Sequence, residues 1–343
     1  MSRRRFLKAS ALIGAAAVTS GLPARLAAAQ APARGAAKGP LRIVMGGYSP
    51  PTTGFSLALK MMGDRLESKF GKDVEVRYVY NILDLGYKGE DILWLVESGV
   101  LSVGYQSSSY LTERVTDLGV ADLPFLFSDT PSARAAMDGR FGQTLVERTE
   151  AKMDFRILGW FENGFRHISN SVRPVHVPAD MKGLRMRVLP SKVQERTFAL
   201  LGANPKIMDL SELLPAIKAG MIDAQENPFF NTVTYGVHKL HRFHTASNHF
   251  YLSRPIFFHR PTFDSWPKAV QDELRAGVRE AVAFQRNMHV KEEEDSMVAI
   301  RAAGGDIVEL TGAEHKAFVD AVNPLYGEVR GQYDKTLLSL ANL

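Results

Sequence analysis

Apolar positions along this chain repeat with two alternating periods. Leu41-Arg42-Ile43-Val44-Met45 is a short apolar run closed by Gly46-Gly47 and reads as a strand. Phe55–Phe70 then places Leu57, Met61, Met62 and Leu66 at helical spacing. Val74–Tyr80 alternates and is rich in β-branched residues, which predicts a second strand. Gly89–Ser98 predicts a helix. Gly99–Gln106 contains a buried strand, followed by the cluster Ser107-Ser108-Ser109. Asp122–Phe127 is apolar and broken by Pro124, as a pocket wall or a packed surface loop would be. Ser132–Lys152 is helical, Phe155–Phe161 is a strand, and Glu162–Arg166 leaves it. This alternation predicts an α/β fold with a mostly parallel sheet. Such sheets hold ligands beyond the carboxyl ends of their strands, so Tyr48 and Ser107–Tyr110 are candidate pocket lining.

The second half keeps the alternation. His167–Pro178 looks extended, and Asp180–Gly183 turns into a strand whose side chains alternate between faces. Leu184, Met186 and Val188 share one face, while Arg185 and Arg187 share the other, ~7 Å apart along the strand. Helices are predicted from Ser191 to near Gly202 and over Ser211–Gly220, and a strand at Ile307–Leu310. Trp266–Ala303 has no proline after Pro267 and a single glycine, Gly277. It predicts one helix of ~35 residues, ~50 Å long, enough to brace two lobes. Lys291-Glu292-Glu293-Glu294-Asp295 reads as its solvated face. Thr311 and Glu314 have capping-box spacing.

Composition and charge narrow the function classes. The chain has 343 residues, enough for two lobes, and a formal charge of +5. Five of its 42 basic residues precede residue 30 and no acid does, so the remainder balances its 37 acids. The basic pI therefore gives no support for nucleic-acid binding. With no cysteine, thiol chemistry and disulfides are excluded. Ser2-Arg3-Arg4-Arg5-Phe6-Leu7-Lys8 resembles a twin-arginine export signal. The apolar run Ala9–Leu22 and the small residues Ala27-Ala28-Ala29 follow in the expected order. Residues 1–29 are expected to be removed on export to the periplasm, and residues 30–40 to be a flexible lead. No later segment offers 18 consecutive apolar residues, so the mature chain is expected not to be membrane-inserted.

Three blocks carry a more specific likeness: Asp180–Val188 (DMKGLRMRV), Leu201–Pro205 (LGANP) and Asp223–Pro228 (DAQENP). With Asp138-Gly139, Asn163-Gly164-Phe165-Arg166, Ser247-Asn248-His249 and Trp266-Pro267 in order, the chain resembles the substrate-binding proteins of TRAP (tripartite ATP-independent periplasmic) transporters, the DctP type. The resemblance implies a two-lobe periplasmic binding protein fold with a hinge, closing on a small organic carboxylate. It also implies delivery to the small and large membrane subunits of a permease, without a cofactor. It places the carboxylate-pairing arginine at Arg187, a second contact at Arg166 and a hydrogen-bonding asparagine at Asn227. Guanidinium matches the two oxygens of a carboxylate as a rigid fork.

The residues leave alternatives beside these assignments. Arg187 and Arg166 could each be structural ion pairs and Asn227 a turn residue, while Glu226 is as much a candidate ligand contact as a holder of backbone amides. Tyr48, Ser108, Tyr110 and Phe230 are pocket candidates that would serve equally as core. Arg185 is better read as a lobe or hinge contact. His238, His241 and His244, with His249, suggest a metal site along a helix edge but lack acidic partners, and no metal is expected there. No nucleophile elbow, zinc-helix motif or phosphate loop is present, so the chain is expected not to be an enzyme. An exported enzyme and a periplasmic sensor of a signalling membrane protein are the rival classes. The expected organisation is lobe I from 41–163 and 252–291, and lobe II from 164–251 and 292–343, in a monomer.

Overall fold

Capping and turn residues divide the chain into the elements of a computed structural model, which describes residues 39–343. The expected export signal, and all but the end of the lead, lie outside the described residues. Strand β1 (Leu41–Gly46) leads to Thr53, whose Oγ1 accepts a hydrogen bond from the Ser56 amide and starts helix α1 (Gly54–Phe70). Then come β2 (Val74–Val79), α2 (Asp91–Glu97), β3 (Val103–Tyr105), α3 (Thr130–Asp138), α4 (Arg140–Lys152) and β4 (Phe155–Phe165). Gly139 splits the single helix expected over 132–152 into α3 and α4. The chain continues through β5 (His167–Asn170), β6 (Arg185–Val188), α5 (Lys192–Leu200), β7 (Asn204–Ile207), α6 (Leu210–Lys218), β8 (Ala224–Asn227), α7 (Phe229–Thr234) and β9 (Phe243–Ala246). It ends with β10 (Tyr251–His259), α8 (Arg260–Ser265), α9 (Lys268–Ala302), β11 (Asp306–Glu309), α10 (Gly312–Val329) and α11 (Lys335–Leu340).

These strands form two sheets among the described residues. One has the order β2-β1-β3-β10-β4, the other β11-β9-β5-β8-β6-β7. Neither is purely parallel: β10 runs antiparallel to both β3 and β4, and β5 antiparallel to β8 and β9. The returning strand β10 is what sequence alternation alone could not supply. Each sheet has its own apolar core. Ile43, Val103, Phe161 and Phe257 belong to the first, and Met186, Val188, Phe198 and Leu252 to the second.

The chain crosses between the sheets where β4 passes into β5 and where β9 passes into β10. β4 is longer than expected and carries Glu162–Phe165 within the first sheet. Gly164 takes φ +83° at this crossing, and a Cβ there would stand 2.3 Å from Nε2 of His289. Backbone freedom and close approach of α9 both require glycine. Helix α9 is 35 residues long and packs on α1 and β4 of one sheet and on α7 and β11 of the other. It spans both, as expected.

Its acidic run is not a solvated face. Glu292 accepts the Gly54 amide at 2.7 Å, and Glu293 accepts those of Phe229 and Phe230 at 3.2 and 2.9 Å. Adjacent carboxylates thus hold the starts of α1 and α7. Only Glu294 and Asp295 of this run, with Lys291, face water. The C-terminal segment also departs from its expected place wholly in the second lobe. Helix α10 begins on the second core through Phe318 and Val322 and ends on the first through Leu325 and Val329, where Leu337 and Leu338 of α11 join it.

Candidate functional site

Three arginines are buried among the described residues, and the two that lie in sequence motifs have different surroundings. Arg187 stands in β6 between β7 and β8, 2% exposed. Its Nε donates to the Met208 carbonyl at 2.9 Å and its Nη2 to the Tyr110 hydroxyl at 3.2 Å. It makes no ion pair among the described residues. Tyr110 comes from the segment after β3, so this bond joins the two sheets' units. The Leu210 amide donates to the same hydroxyl at 3.2 Å. Burial pushes the Tyr110 phenol well above its usual range, against the opposing pull of Arg187, so it remains a neutral hydroxyl.

Arg166 is 1% exposed and is bonded to β8 through Nε and Nη2. Its Nε and Nη2 grip the Glu226 carboxylate, and Nη2 also donates to the Glu226 carbonyl at 2.8 Å and to Asn227 Oδ1 at 2.9 Å. Burial works to raise the Glu226 carboxyl, but Arg166 and His249 outweigh it and hold it below the usual carboxylate range. Glu226 therefore serves as the counter-ion of Arg166, a role its sequence position did not indicate. Asn227, oriented by Arg166, donates from Nδ2 to Gln225 Oε1 at 2.5 Å. Arg185 is a contrast on the same strand face. Its exposed side chain pairs with Asp223 and donates to the Gly220 carbonyl at 2.5 Å, all within the second sheet's unit. It makes no lobe or hinge contact of the expected kind.

The remaining candidates lie on the first sheet's side. Tyr48 is buried just past β1, 5.4 Å from the Tyr105 ring. Ser108 is buried and its Oγ has no hydrogen-bond partner among the described residues, as is true of Ser107. Phe230 lies 6.1 Å from Phe55 and 6.2 Å from His289. Leu123 at the start of the apolar loop is buried, and Asp122 accepts from Ser109 Oγ at 2.9 Å.

Other bonds fasten the two units to each other. Asp209, before α6, accepts the Gly89 and Glu90 amides at 3.0 Å each while also accepting from Ser211 at 2.8 Å. Burial tends to raise its carboxyl, but these bonds prevail and keep it ionised below its usual range. Gln194 Nε2 donates to Ser109 Oγ at 3.0 Å, and Thr112 Oγ1 to the Pro190 carbonyl at 2.9 Å. Asp209 and Gln194 carried no motif that would have singled them out. Arg254, the third buried arginine, did carry a signal: a charge inside the apolar run Tyr251–Phe258.

The histidines do not form the suspected ligand set. His238 lies in a short turn of helix, His241 in the loop beyond it and His244 in β9, not along one helix edge. His241 Nδ1 lies 3.0 Å from Ser169 Oγ, and His244 Nε2 lies 3.0 Å from the His241 carbonyl. No group of three metal-binding side chains converges among the described residues. Surface grooves beside Arg286 and beside Arg196 do not include Arg187.

Two α/β units joined by crossing strands, with a buried guanidinium between them that makes no ion pair among the described residues, are the architecture of a two-lobe ligand-binding receptor. The chain belongs to the bacterial extracellular solute-binding protein family 7 (DctP), whose sequence profile matches residues 45–332. It is 32% identical over 216 residues to the C4-dicarboxylate-binding periplasmic protein DctP of Rhodobacter capsulatus, covering 63% of this chain and 64% of that protein. It is 29% identical over 248 residues to the 2,3-diketo-L-gulonate-binding periplasmic protein YiaO of Escherichia coli strain K12, covering 72% and 74%. Among solved structures, it resembles the sugar acid binding protein DctPAm of Advenella mimigardefordensis in complex with galactonate. The TM-score is 0.83 at 24% identity, over 89% of this chain and 98% of that one. A TRAP periplasmic solute binding protein of Sulfurospirillum deleyianum with bound succinate gives 0.82 at 25% identity, over 88% and 98%.

Proposed function

We propose that this chain is the periplasmic receptor of a TRAP transporter, capturing a small organic acid by closure of its two units and handing it to the small and large membrane subunits of a permease. The observation that carries this reading is Arg187, buried between the units and in no ion pair among the described residues. A buried cation without a partner is costly, and an incoming carboxylate offsets that cost with two charge-assisted bonds. In this reading Arg187 is the fork and Tyr110 closes over it. Arg166 aligns Asn227 toward the same anion while Glu226 balances Arg166. Tyr48, Ser108 and Phe230 line the opposite wall. The receptor acts as a monomer, performs no covalent chemistry and leaves the cytoplasm by the twin-arginine route. Relatives that bind succinate, galactonate and 2,3-diketo-L-gulonate, by their names, agree in the acid group.

The test is a thermal-shift and calorimetric screen of organic acids against their amides, neutral sugars and amines. Stabilisation confined to acids, lost on Arg187→Met, is the expected result. Binding of neutral compounds or amines alone overturns the reading.

A further inference from the structure

The proposed carboxylate fork and the counter-ion of Arg166 leave one buried acid without a part. Asp122 ends the turn of helix Thr116–Asp122, is 0% exposed and forms no ion pair among the described residues. It stands where the two units meet. Ser109, from the segment after β3, accepts from Gln194 Nε2 of α5 at 3.0 Å. Its own proton then goes to Asp122 Oδ1, at 2.9 Å. The Ser191 hydroxyl, which accepts the Gln194 amide at 3.4 Å as the cap of α5, faces the same carboxyl. Ser109 and Asp122 thus come from one unit, Ser191 and Gln194 from the other, and all four are buried.

The charged groups nearby do not replace a counter-ion. Arg166, at the crossing after β4, favours the ionised form of Asp122, but it is bonded to Glu226 of β8, whose charge opposes it. His249, just before β10, is turned to Glu226, and Arg254 of β10 to the rings of Tyr48 and Phe55. Tyr333, beyond α10, also faces Asp122, and burial pushes its phenol up to about 12, so it stays neutral. Lys192 and Arg196 of α5 and Lys335 of α11 are exposed, and Arg148 of α4 lies 3.8 Å from Asp117 instead. Two neutral hydroxyls do not restore the hydration that a buried carboxylate loses. Burial therefore outweighs them and pushes the Asp122 carboxyl up to about 7.

We propose that Asp122 is a proton-operated clasp between the units: its protonated carboxyl lets them shut through Ser109, Ser191 and Gln194, and its ionised form draws in water and parts them. This goes beyond the organic-acid reading, since it rests on the two units closing and not on what they close around. Withdrawal of α5 rehydrates the carboxyl and returns it toward its ordinary value of 3.8. The shut form then holds a proton that the open form has released. This support for closure is full below about pH 4, is lost as the pH rises to about 7, and is constant above that, where both forms are ionised.

The experiment needs no ligand. The chain has no cysteine, so Lys72→Cys on the first unit and Lys218→Cys on the second, both exposed positions, give one spin-label pair across the units. Double electron–electron resonance then reads the distance distribution from about pH 4.5 to about pH 8.5. The expected result is a ratio of short to long distances that falls at least about tenfold between about pH 5 and about pH 7 and is level above that. Asp122→Asn, which keeps the shape of the protonated acid and cannot ionise, should hold the acid distribution at every pH. Asp122→Ser, equally unable to ionise, is the second variant if circular dichroism shows the first to be unfolded. A wild-type distribution that does not move with pH overturns the clasp, as does one that moves equally in a folded Asp122 variant. Addition of succinate or D-galactonate separates the two readings. Units that draw together on an acid but ignore pH leave the organic-acid reading standing and remove the clasp. Units that answer to pH but to neither acid keep the clasp and count against that reading. Units fixed at one distance under every condition remove closure, and the clasp with it.

Discussion

Replacing Arg166 and Arg187 separately by methionine distinguishes their roles, because the two buried arginines are predicted to fail in opposite ways. Arg166→Met leaves Glu226, which is 0% exposed, without both bonds to its carboxylate oxygens from that guanidinium. Stranding one member of a buried pair costs about 3–5 kcal/mol of stability. Arg187→Met removes two bonds, to the Met208 carbonyl and the Tyr110 hydroxyl, worth about 0.5–1.5 kcal/mol each. It also removes an uncompensated buried cation, which offsets that loss, so ligand-free stability should change by no more than about 1 kcal/mol. Affinity should then show the larger effect: truncating one side of a buried charge pair costs about 2–5 kcal/mol, or about 30-fold to several thousand-fold in Kd. Urea unfolding of the ligand-free proteins gives the first quantity, and calorimetry with the best acid from the screen gives the second. If Arg187→Met unfolds as readily as Arg166→Met and binds normally, Arg187 is a structural group and the site argument collapses.

Three further outcomes follow from the same bonds. Arg185→Ala, at an exposed pair with Asp223 remote from Tyr110, should leave calorimetric affinity within about twofold. Asp209→Ser keeps the α6 cap but is too short to hold the Gly89 and Glu90 amides as well. Stopped-flow release should then be about tenfold faster, with stability changed by less than about 1 kcal/mol. Burial pushes the Glu293 carboxyl up to about 8, against the Phe229 and Phe230 amides that favour its ionised form. The native state thus keeps a proton that the unfolded chain releases near pH 4.5. This contribution is full below pH 4.5 and is lost as the pH rises toward 8. Glu293→Gln should therefore flatten the fall in stability between pH 5 and 8, and an unchanged slope would show that Glu293 is ionised in the native protein.

Local chemistry was readable where it depends on neighbours in sequence. Thr311 and Glu314 form the expected reciprocal cap, and Lys268–Ala302 is one helix because nothing in it interrupts the backbone bonds. The alternation around Met186 correctly separated an apolar face from an arginine face, but it could not say that one arginine of that face is exposed and its neighbour buried. That difference is made by distant segments: Asp223 and Gly220 receive Arg185, whereas Met208 and Tyr110 enclose Arg187. The acidic run of α9 shows the same limit. Helical spacing gives no sign that the amides at the starts of α1 and α7 stand opposite Glu292 and Glu293.

What the sequence leaves undetermined is which charges are compensated, and the proposed site rests on that property. Arg166, Arg187 and Arg254 are the same residue type, all buried, two of them in recognisable motifs. Arg166 has Glu226, so an anion adds little to it beyond orienting Asn227. Arg187 has only neutral acceptors, and Arg254 has ring faces, one amide oxygen and the Tyr235 hydroxyl. Their burial is tolerable because a dipole or a quadrupole substitutes for part of the lost hydration. Neither substitute equals a carboxylate, so each unpaired arginine favours an anion more strongly when closure excludes water around it. The same closure is held by Asp209 and Tyr110, whose bonds cross between the two units. Binding and closure are therefore one equilibrium, and changing either the charge at Arg187 or the latch at Asp209 should alter affinity, the first through the anion bound and the second through the fraction of the protein that is shut.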